Sequence, residues 1–326
     1  ADHISLNIKN LKDMKFERCP LVELYDGVIT KMYPFHVSME GMENKILCRE
    51  DEDYDTFVKV LAITAHKRNV SIIVYCIVSN HIHCVILSES YDNAIRFGEE
   101  SKRVYSMYLS NKYKDSGALR SVDIHIVYLD SDRYLRNAIA YDIRNALDNG
   151  AYSVQEYKWS SYRAAFCRGV IKGSTRKVSE LSKREKCKIM HTHLKLAKVK
   201  WLINGDNELE PASFTHWKYL ESGYLNDHAF FLKNIGVVNT SEMKQNLVLN
   251  LKEKKTDSEL FRSVNDICKN KYLCNLNELS LEKKAHLLLH IYRAYRTSPN
   301  QLSRIFELRR ENVLSLLSRA RSNGNA

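Results

Sequence analysis

Two histidines separated by one residue, His81 and His83, form the pair whose spacing most directly suggests chemistry. They lie in the β-branched run HIHCVIL, in which side chains alternate between the two faces of a strand. Both imidazoles therefore project to one face, with Cα atoms about 7 Å apart, and could share one cation. The motif is short, and two incidental histidines are the alternative interpretation.

A tyrosine and an asparagine four residues apart, Tyr141 and Asn145, lie in a segment with helical spacing. The apolar stripe of this helix comprises Leu135, Ala138, Ile139, Ile143, Ala146 and Leu147. Tyr141 falls far from the centre of the stripe, with Asn145 at its flank and one helical turn away. Tyr141 is therefore not an obvious core residue, although most such tyrosines only pack at the surface.

These residue types together suggest phosphoryl chemistry. A phenol is a poor nucleophile at neutral pH because its reference pKa is about 10. A divalent cation can polarise a scissile phosphate and stabilise the charge that develops on it. Attack by Tyr141 would then give a phosphotyrosyl intermediate and a free 3′-OH, and the covalent bond would allow rejoining without a nucleotide cofactor.

The elements that must position these residues lie between residues 33 and 166. Apolar periodicity predicts the order β-α-β-β-α-β-α, at residues 33–39, 51–69, 70–78, 81–87, 93–113, 123–129 and 131–150. Asn69 and Gly150 are expected to end the first and third helices. The order predicts a mixed α/β (α+β) ferredoxin-like sandwich, with a central antiparallel sheet and helices on its faces. From about Leu202 the pattern is helical to the end.

Positive charge is concentrated in one stretch of the chain. Eleven Lys or Arg residues but only two Glu lie between Arg168 and Lys200, in a protein whose formal net charge is +11. The stretch is either a solvated linker or a phosphate-binding face, and its size favours the second. The candidate DNA contacts are Lys183, Arg184, Lys186 and Lys188. A second H-x-H motif, His191 and His193, lies here without a strand pattern and is interpreted as solvated or DNA-facing.

Composition argues against several other classes. None of the eight cysteines has C-x-x-C spacing, which disfavours a zinc ribbon or finger. The longest apolar run, VSIIVYCIV, is far too short to span a bilayer, and the charged start lacks the apolar core of a signal peptide. We therefore expect a cytoplasmic protein with no membrane partner.

The sequence resembles the HUH single-tyrosine transposases, and most of all the REP-associated tyrosine transposases. YCIVSNHIHCVIL resembles the HUH strand, and YDIRNALDNG followed by YKWSSYRAAF resembles the nucleophile helix and its sequel. YPFHVSMEGMENKILCREDEDYDTF is similar to the opening strand and helix of that family. The resemblance covers roughly residues 33–167 in the same order.

This resemblance implies His81, His83 and Asn145 as ligands of Mg²⁺ or Mn²⁺, and Tyr141 as the nucleophile. It implies cleavage and rejoining of single-stranded or hairpin DNA through a 5′-phosphotyrosine, by a monomer or a homodimer. Four positions depart from the family pattern, namely Glu40, Ser79, Asp123 and Ala146. The alternatives are therefore a domesticated protein that binds repeat DNA without cutting, an HUH replication or conjugation initiator, and a metal-dependent hydrolase that leaves no covalent adduct.

The C-terminal segment carries a separate pattern. Ser298, Pro299 and Gln301 fit the start of a helix, and the apolar offsets that follow fit a helix-turn-helix. Residues 257–317 also resemble the DNA-binding domain of the bacterial chromosomal replication initiator. Contacts to duplex DNA would then come from Arg309, Arg310 and Asn312, whereas a plain two-helix packing unit is the alternative.

The predicted organisation has five parts. They are an N-terminal extension (1–32), an HUH catalytic domain (33–167), a basic connector (168–201), a helical segment (202–256) and an all-α DNA-binding domain (257–326).

Overall fold

The computed structural model describes residues 16–24, 27–40, 46–115, 117, 119–120, 122–148, 150–166, 174–236, 255–295 and 297–322. The charged start of the chain, part of the predicted opening motif (41–45), and Arg168 and Lys172 of the basic stretch lie outside the described residues. The chain is mixed α/β, with a central antiparallel sheet and several helices.

The elements up to residue 148 contain the predicted catalytic residues. In chain order they are β1 (Leu21–Glu23), β2 (Ile29–Lys31), β3 (Tyr33–Glu40), α1 (Asp51–Arg68), β4 (Ser71–Ile77), β5 (Ile82–Ser88), α2 (Tyr91–Tyr113), β6 (Asp123–Tyr128) and α3 (Asp132–Asp148). From β3 onward this is the predicted order, and no element boundary differs from its prediction by more than two residues.

Four of these strands form the central sheet, in the order β4-β5-β3-β6. Every neighbouring pair is antiparallel. Strand β5 lies inside the sheet, between β4 and β3, and all of its residues are buried. A β-bulge in β4 shifts its pairing register with β5 between Ile72 and Val74.

Each face of the sheet is covered by a different set of helices. On one face, Ile82, Cys84 and Ile86 of β5 belong to a buried cluster with side chains of α1 and α2. On the other, Val85 and Leu87 belong to a cluster with side chains of α3. Because strand side chains alternate, His83 projects to the α3 face, together with Val85 and Leu87.

Two of the predicted helix ends are confirmed. Asn69 caps α1 in the left-handed conformation, with φ 51° and ψ 43°. Gly150 has φ +97° just after α3, a conformation that a residue with a side chain rarely adopts. The predicted apolar stripe of α3 is buried.

The basic stretch folds against the body of the protein. It contains a two-residue strand β7 (Arg176–Lys177) and helix α4 (Lys183–Met190). The buried side chains of this stretch, Val178, Leu181, Met190, Leu196 and Val199, belong to the cluster that includes α1 and α2. The stretch therefore packs on the side of the sheet away from α3.

The prediction that the chain is helical from about Leu202 is wrong at its start. Strand β8 (Leu202–Ile203) pairs with β7, because Ile203 is buried in the cluster of α1 and α2 and its backbone needs a partner there. Helices α5 (Pro211–Phe214), α6 (Trp217–Gly223) and α7 (His228–Gly236) follow.

Four α-helices account for most of the described residues from 255 to 322. They are α8 (Asp257–Ile267), α9 (Leu281–Ala294), α10 (Pro299–Phe306) and α11 (Arg310–Ser322), and a π-helical turn (Cys268–Tyr272) follows α8. Ser298 caps α10 as predicted, by accepting a hydrogen bond from the Gln301 backbone N–H. Glu307 takes the left-handed conformation in the turn before α11, with φ 51°. None of the described helices is long and apolar enough to cross a membrane.

Candidate metal and nucleophile site

The two histidines of the H-x-H motif lie next to each other beneath α3. Their ring centroids are 4.9 Å apart, and the rings are nearly perpendicular. His83 is buried in β5, whereas His81 precedes this strand and is partly exposed. Burial, with a smaller effect of His81 and His36, lowers the pKa of His83 to about 2. His83 is therefore a neutral imidazole, the form that can bind a metal ion.

Asn145 of α3 meets His81 across the gap between helix and strand. Its Oδ1 atom lies 3.1 Å from His81 Nε2, while the other ring nitrogen, Nδ1, lies 2.9 Å from Oδ1 of Asn80. If Asn80 accepts the Nδ1 proton, Nε2 carries a lone pair. Nε2 and the Asn145 oxygen would then direct two lone pairs into the same space, an arrangement that a cation stabilises.

A third histidine, His36, extends the site along the sheet. It lies in β3 opposite Val85, two residues along from the position opposite His83. The His36 and His83 rings stack, with centroids 5.4 Å apart and planes 14° apart. His36 thus joins the H-x-H pair on the α3 face.

An aspartate of α3, Asp142, binds His36. Its Oδ1 atom is 2.8 Å from His36 Nε2, and its side chain is fully buried. The second oxygen, Oδ2, is also buried and has no hydrogen-bond partner among the described residues. Burial raises the pKa of the Asp142 carboxyl, and His36 opposes this shift.

Tyr141 lies beside these groups at the edge of the site. Its ring is 5.0 Å from that of His83 and 6.3 Å from that of His36, centroid to centroid. The side chain is 49% exposed, although its neighbours Asp142 and Asn145 are buried. A phenol in this position is accessible to a large substrate and close to the buried imidazoles.

The donor atoms of this site fit a divalent cation. Ligand atoms of His36, His83 and Asp142 all lie within 4.8 Å of one another. Imidazole nitrogens and oxygen donors of this kind suit Mn²⁺ and related divalent ions. His83 therefore belongs both to this observed group and to the predicted set with His81 and Asn145.

His36 and Asp142 were not among the residues predicted from the sequence. A signal for Asp142 was present, because it falls between Ile139 and Ala146 within the apolar stripe of α3. A carboxylate on a buried helix face requires a partner. His36 gave a weaker signal, since its neighbours Phe35 and Val37 point to the opposite face of an ordinary alternating strand.

The predicted DNA contacts of the basic stretch lie away from this site, on the other side of the sheet. Lys183, Arg184 and Lys188 are exposed on α4. Lys186 is buried, and its Nζ donates to the Ser179 carbonyl at 3.0 Å. Lys186 therefore stabilises its own segment in this conformation. His191 and His193 are both exposed.

The predicted contacts of the C-terminal segment lie around the start of α11. Arg309, Arg310 and Asn312 are all exposed. Arg310 Nε donates to Oδ1 of Asn300 at 2.8 Å, which links the two helices on either side of the turn. The three side chains thus occupy one accessible end of a helix.

Comparisons with known proteins add one structural similarity. The sequence matches no protein-family model, and no curated protein matches it. Among solved structures, the chain is similar to a REP-associated tyrosine transposase bound to a REP hairpin, with a TM-score of 0.31 and 11% sequence identity. The similarity covers 42% of this chain and 80% of that chain.

Proposed function

We propose that this protein is a metal-dependent single-tyrosine strand transferase of the HUH type, which cleaves and rejoins single-stranded or hairpin DNA. The observation that carries the proposal is the convergence of Tyr141, His81, His83 and Asn145 on one face of the sheet. An exposed phenol lies beside buried imidazoles, and a helix and a strand hold the groups together.

The proposed ligands of the ion are His81, His83 and Asn145, with Mg²⁺ or Mn²⁺ as the metal. When bound, the ion would polarise the scissile phosphate and stabilise the charge that develops there. His83 is kept neutral by burial, and Asn80 orients the His81 ring through Nδ1. His36 and Asp142 border the same space and hold the back of the site rigid.

The reaction requires only one covalent step in each direction. The Tyr141 oxygen attacks the phosphorus, a P–O bond to Tyr141 forms, and the bond from phosphorus to the 3′ oxygen breaks. The phenol proton is released, and the leaving 3′ oxygen takes up a proton as it becomes a hydroxyl. Attack by a 3′-OH on the 5′-phosphotyrosine reverses the step and restores the phenol.

The arrangement of the elements supports a ferredoxin-like assignment for residues 33–128. The order β-α-β-β-α-β, the strand order β4-β5-β3-β6 and the two helices α1 and α2 against one face are those of a split βαβ sandwich. Helix α3 would be an addition on the opposite face, and it supplies the nucleophile.

Exposed basic residues support a DNA partner. We assign non-specific phosphate contacts to Lys183, Arg184 and Lys188, and contacts to duplex bases to Arg309, Arg310 and Asn312 in an all-α helix-turn-helix domain. Lys186 is the weakest member of the predicted set, because its ammonium group is engaged by the Ser179 carbonyl.

One observation favours a second candidate function, a metal-dependent phosphodiesterase. The His36, His83 and Asp142 donors form a compact group without any contribution from Tyr141. An ion held there could activate water, and the products would include no covalent protein–DNA species.

The deciding experiment is incubation of the protein with hairpin-bearing oligonucleotides and Mn²⁺, followed by denaturing electrophoresis. The oligonucleotides should come from DNA that flanks the gene of this protein. The strand transferase leaves labelled DNA covalently attached to the protein. Cleaved DNA without an adduct would favour the phosphodiesterase, and binding without cleavage would favour a non-cutting repeat-binding protein.

A further inference from the structure

The helical part from residue 255 onward contacts the catalytic half beside the H-x-H strand. Asp257, the first residue of α8, is fully buried and lies at this contact. Its Oδ2 atom accepts a hydrogen bond from the Ser79 hydroxyl. The same carboxylate pairs with Arg304 of α10, whose Nε and second terminal nitrogen lie 2.6 and 3.3 Å from the two carboxylate oxygens.

Ser79 belongs to the turn that leads into β5. The Val78 backbone N–H donates to the His81 carbonyl at 3.0 Å, which closes this turn. The Ser79 carbonyl accepts from the backbone N–H groups of Leu47 and Cys48, at 2.6 and 3.0 Å. Asn80, the next residue, contacts His81 Nδ1 through its side chain. The hydroxyl of Ser79 thus ties this turn to α8.

The approach to α8 also touches the end of the helix that carries Asn145. A Cβ atom on Gly150 would lie 2.7 Å from the Lys255 carbonyl oxygen and 3.2 Å from the Thr256 Cα atom. The backbone of residues 255–256 is therefore in close contact with the chain just after α3. Residues 255–257 consequently contact both chain segments whose side chains meet as the His81–Asn145 pair.

The chemistry of this contact is more demanding than simple docking requires. A buried carboxylate loses its hydration and is tolerated only when hydrogen bonds and an opposite charge replace it. Asp257 receives both, from Ser79 and Arg304. A buried polar arrangement of this kind accepts one geometry, whereas apolar side chains tolerate small displacements.

We infer that Asp257 is a positioning residue of the candidate metal site, and that it acts through Ser79 on the turn that carries Asn80 and His81. The inference rests on the proposed function, because it assigns His81 a ligand role. It adds that the C-terminal helical part sets the geometry of the site and does not serve only to bind DNA.

The test is Mn²⁺ binding to the full-length protein, followed by electron paramagnetic resonance without DNA, and adduct formation with a hairpin oligonucleotide. The variants are Ser79→Ala, Asp257→Asn and the double variant. Ser258→Ala is the matched control, because Ser258 is also buried, adjoins Asp257 and contacts Tyr54 at 3.5 Å. Thermal unfolding of each variant verifies that it is folded. Ser79→Ala leaves the Asp257–Arg304 pair intact, so it answers the question even if Asp257→Asn does not fold.

We expect Ser79→Ala and Asp257→Asn each to weaken Mn²⁺ binding by about tenfold or more, as is typical when a group that orients a metal ligand is removed. The double variant should bind no more weakly than the weaker binder of the two, because both changes break one contact. Ser258→Ala should bind like the wild type.

Unchanged Mn²⁺ affinity in folded Ser79→Ala would overturn the inference and leave the proposed function standing, provided that the wild type forms adducts. An equal loss of affinity in Ser258→Ala would also overturn it, since any disturbance of the contact would then suffice. A wild-type protein that neither binds Mn²⁺ nor forms an adduct would overturn the proposed function, and this inference with it.

Discussion

The Nε2 atom of His36 lies 2.8 Å from Oδ1 of Asp142, and this contact joins the central sheet to the helix that carries Tyr141. The two residues are 106 positions apart in the chain, and Asp142 is fully buried. Since Asp142 directly follows Tyr141, the contact also fixes the rotation of α3 above the sheet. The exposed position of the phenol is thus a consequence of a buried polar pair.

The nucleophile can be identified with a pair of tyrosines on the same helix. We expect Tyr141→Phe to reduce adduct formation to background and to leave hairpin binding nearly unchanged, because only the attacking oxygen is removed. Tyr134→Phe is the control, since Tyr134 also lies on α3 and is 42% exposed. Persistent adducts in Tyr141→Phe, together with their absence in Tyr134→Phe, would transfer the role to Tyr134.

The two donor sets that share His83 can be separated by Mn²⁺ titration. We expect His81→Ala to weaken Mn²⁺ binding by more than the roughly 10- to 100-fold typical of outer-shell changes, and Asp142→Asn to stay within that range. His83→Ala should abolish binding, because both sets use this residue. The reverse order for His81→Ala and Asp142→Asn would place the ion with His36 and Asp142.

Exposed and buried lysines of the basic stretch should differ in their effect on DNA binding. Reversing the charges of Lys183, Arg184 and Lys188 should lower the slope of log affinity against log salt by about 0.7 for each phosphate of a single strand that the variant no longer neutralises. Lys186→Met, which keeps much of the apolar stem, should change this slope little, because its Nζ binds the Ser179 carbonyl. A slope that the triple reversal leaves unaltered would make this stretch purely structural.

The close approach after α3 should be visible in stability. Gly150→Ala should lower the free energy of unfolding by about 1–3 kcal/mol, because φ is +97° and the added Cβ would meet the Lys255 carbonyl. Gly205→Ala is the control, since a Cβ there meets nothing within 4 Å. Thermal or urea unfolding of both variants provides the comparison, and equal stabilities would contradict this contact.

Base recognition by the C-terminal helices should depend on Arg310. Replacing it with alanine should cost about 1–3 kcal/mol on a preferred duplex site and less on random DNA, if its guanidinium contacts a guanine. Titrations of both duplexes at one salt concentration provide the measurement. Equal costs on the two duplexes would indicate phosphate contact alone, and no cost on either would favour a packing role for α10 and α11.

Local sequence patterns were sufficient to predict the order and type of the elements from residue 33 to residue 148. Periodicity of two or 3.6 reports which side chains share a face, and it placed Tyr141 off the buried stripe of α3. The same periodicity placed His81 and His83 on one side of a strand. End signals were also local, so Asn69, Gly150 and Ser298 marked their helices correctly.

Tertiary structure alone decided which distant residues meet. His36 joins the site only because β3 pairs with β5, and Asp142 only because α3 covers that face of the sheet. The same holds for Ser79 and Asp257, which are 178 residues apart and belong to different parts of the fold. Periodicity describes one element at a time, whereas strand register and helix docking arise from packing between elements, which no local pattern contains.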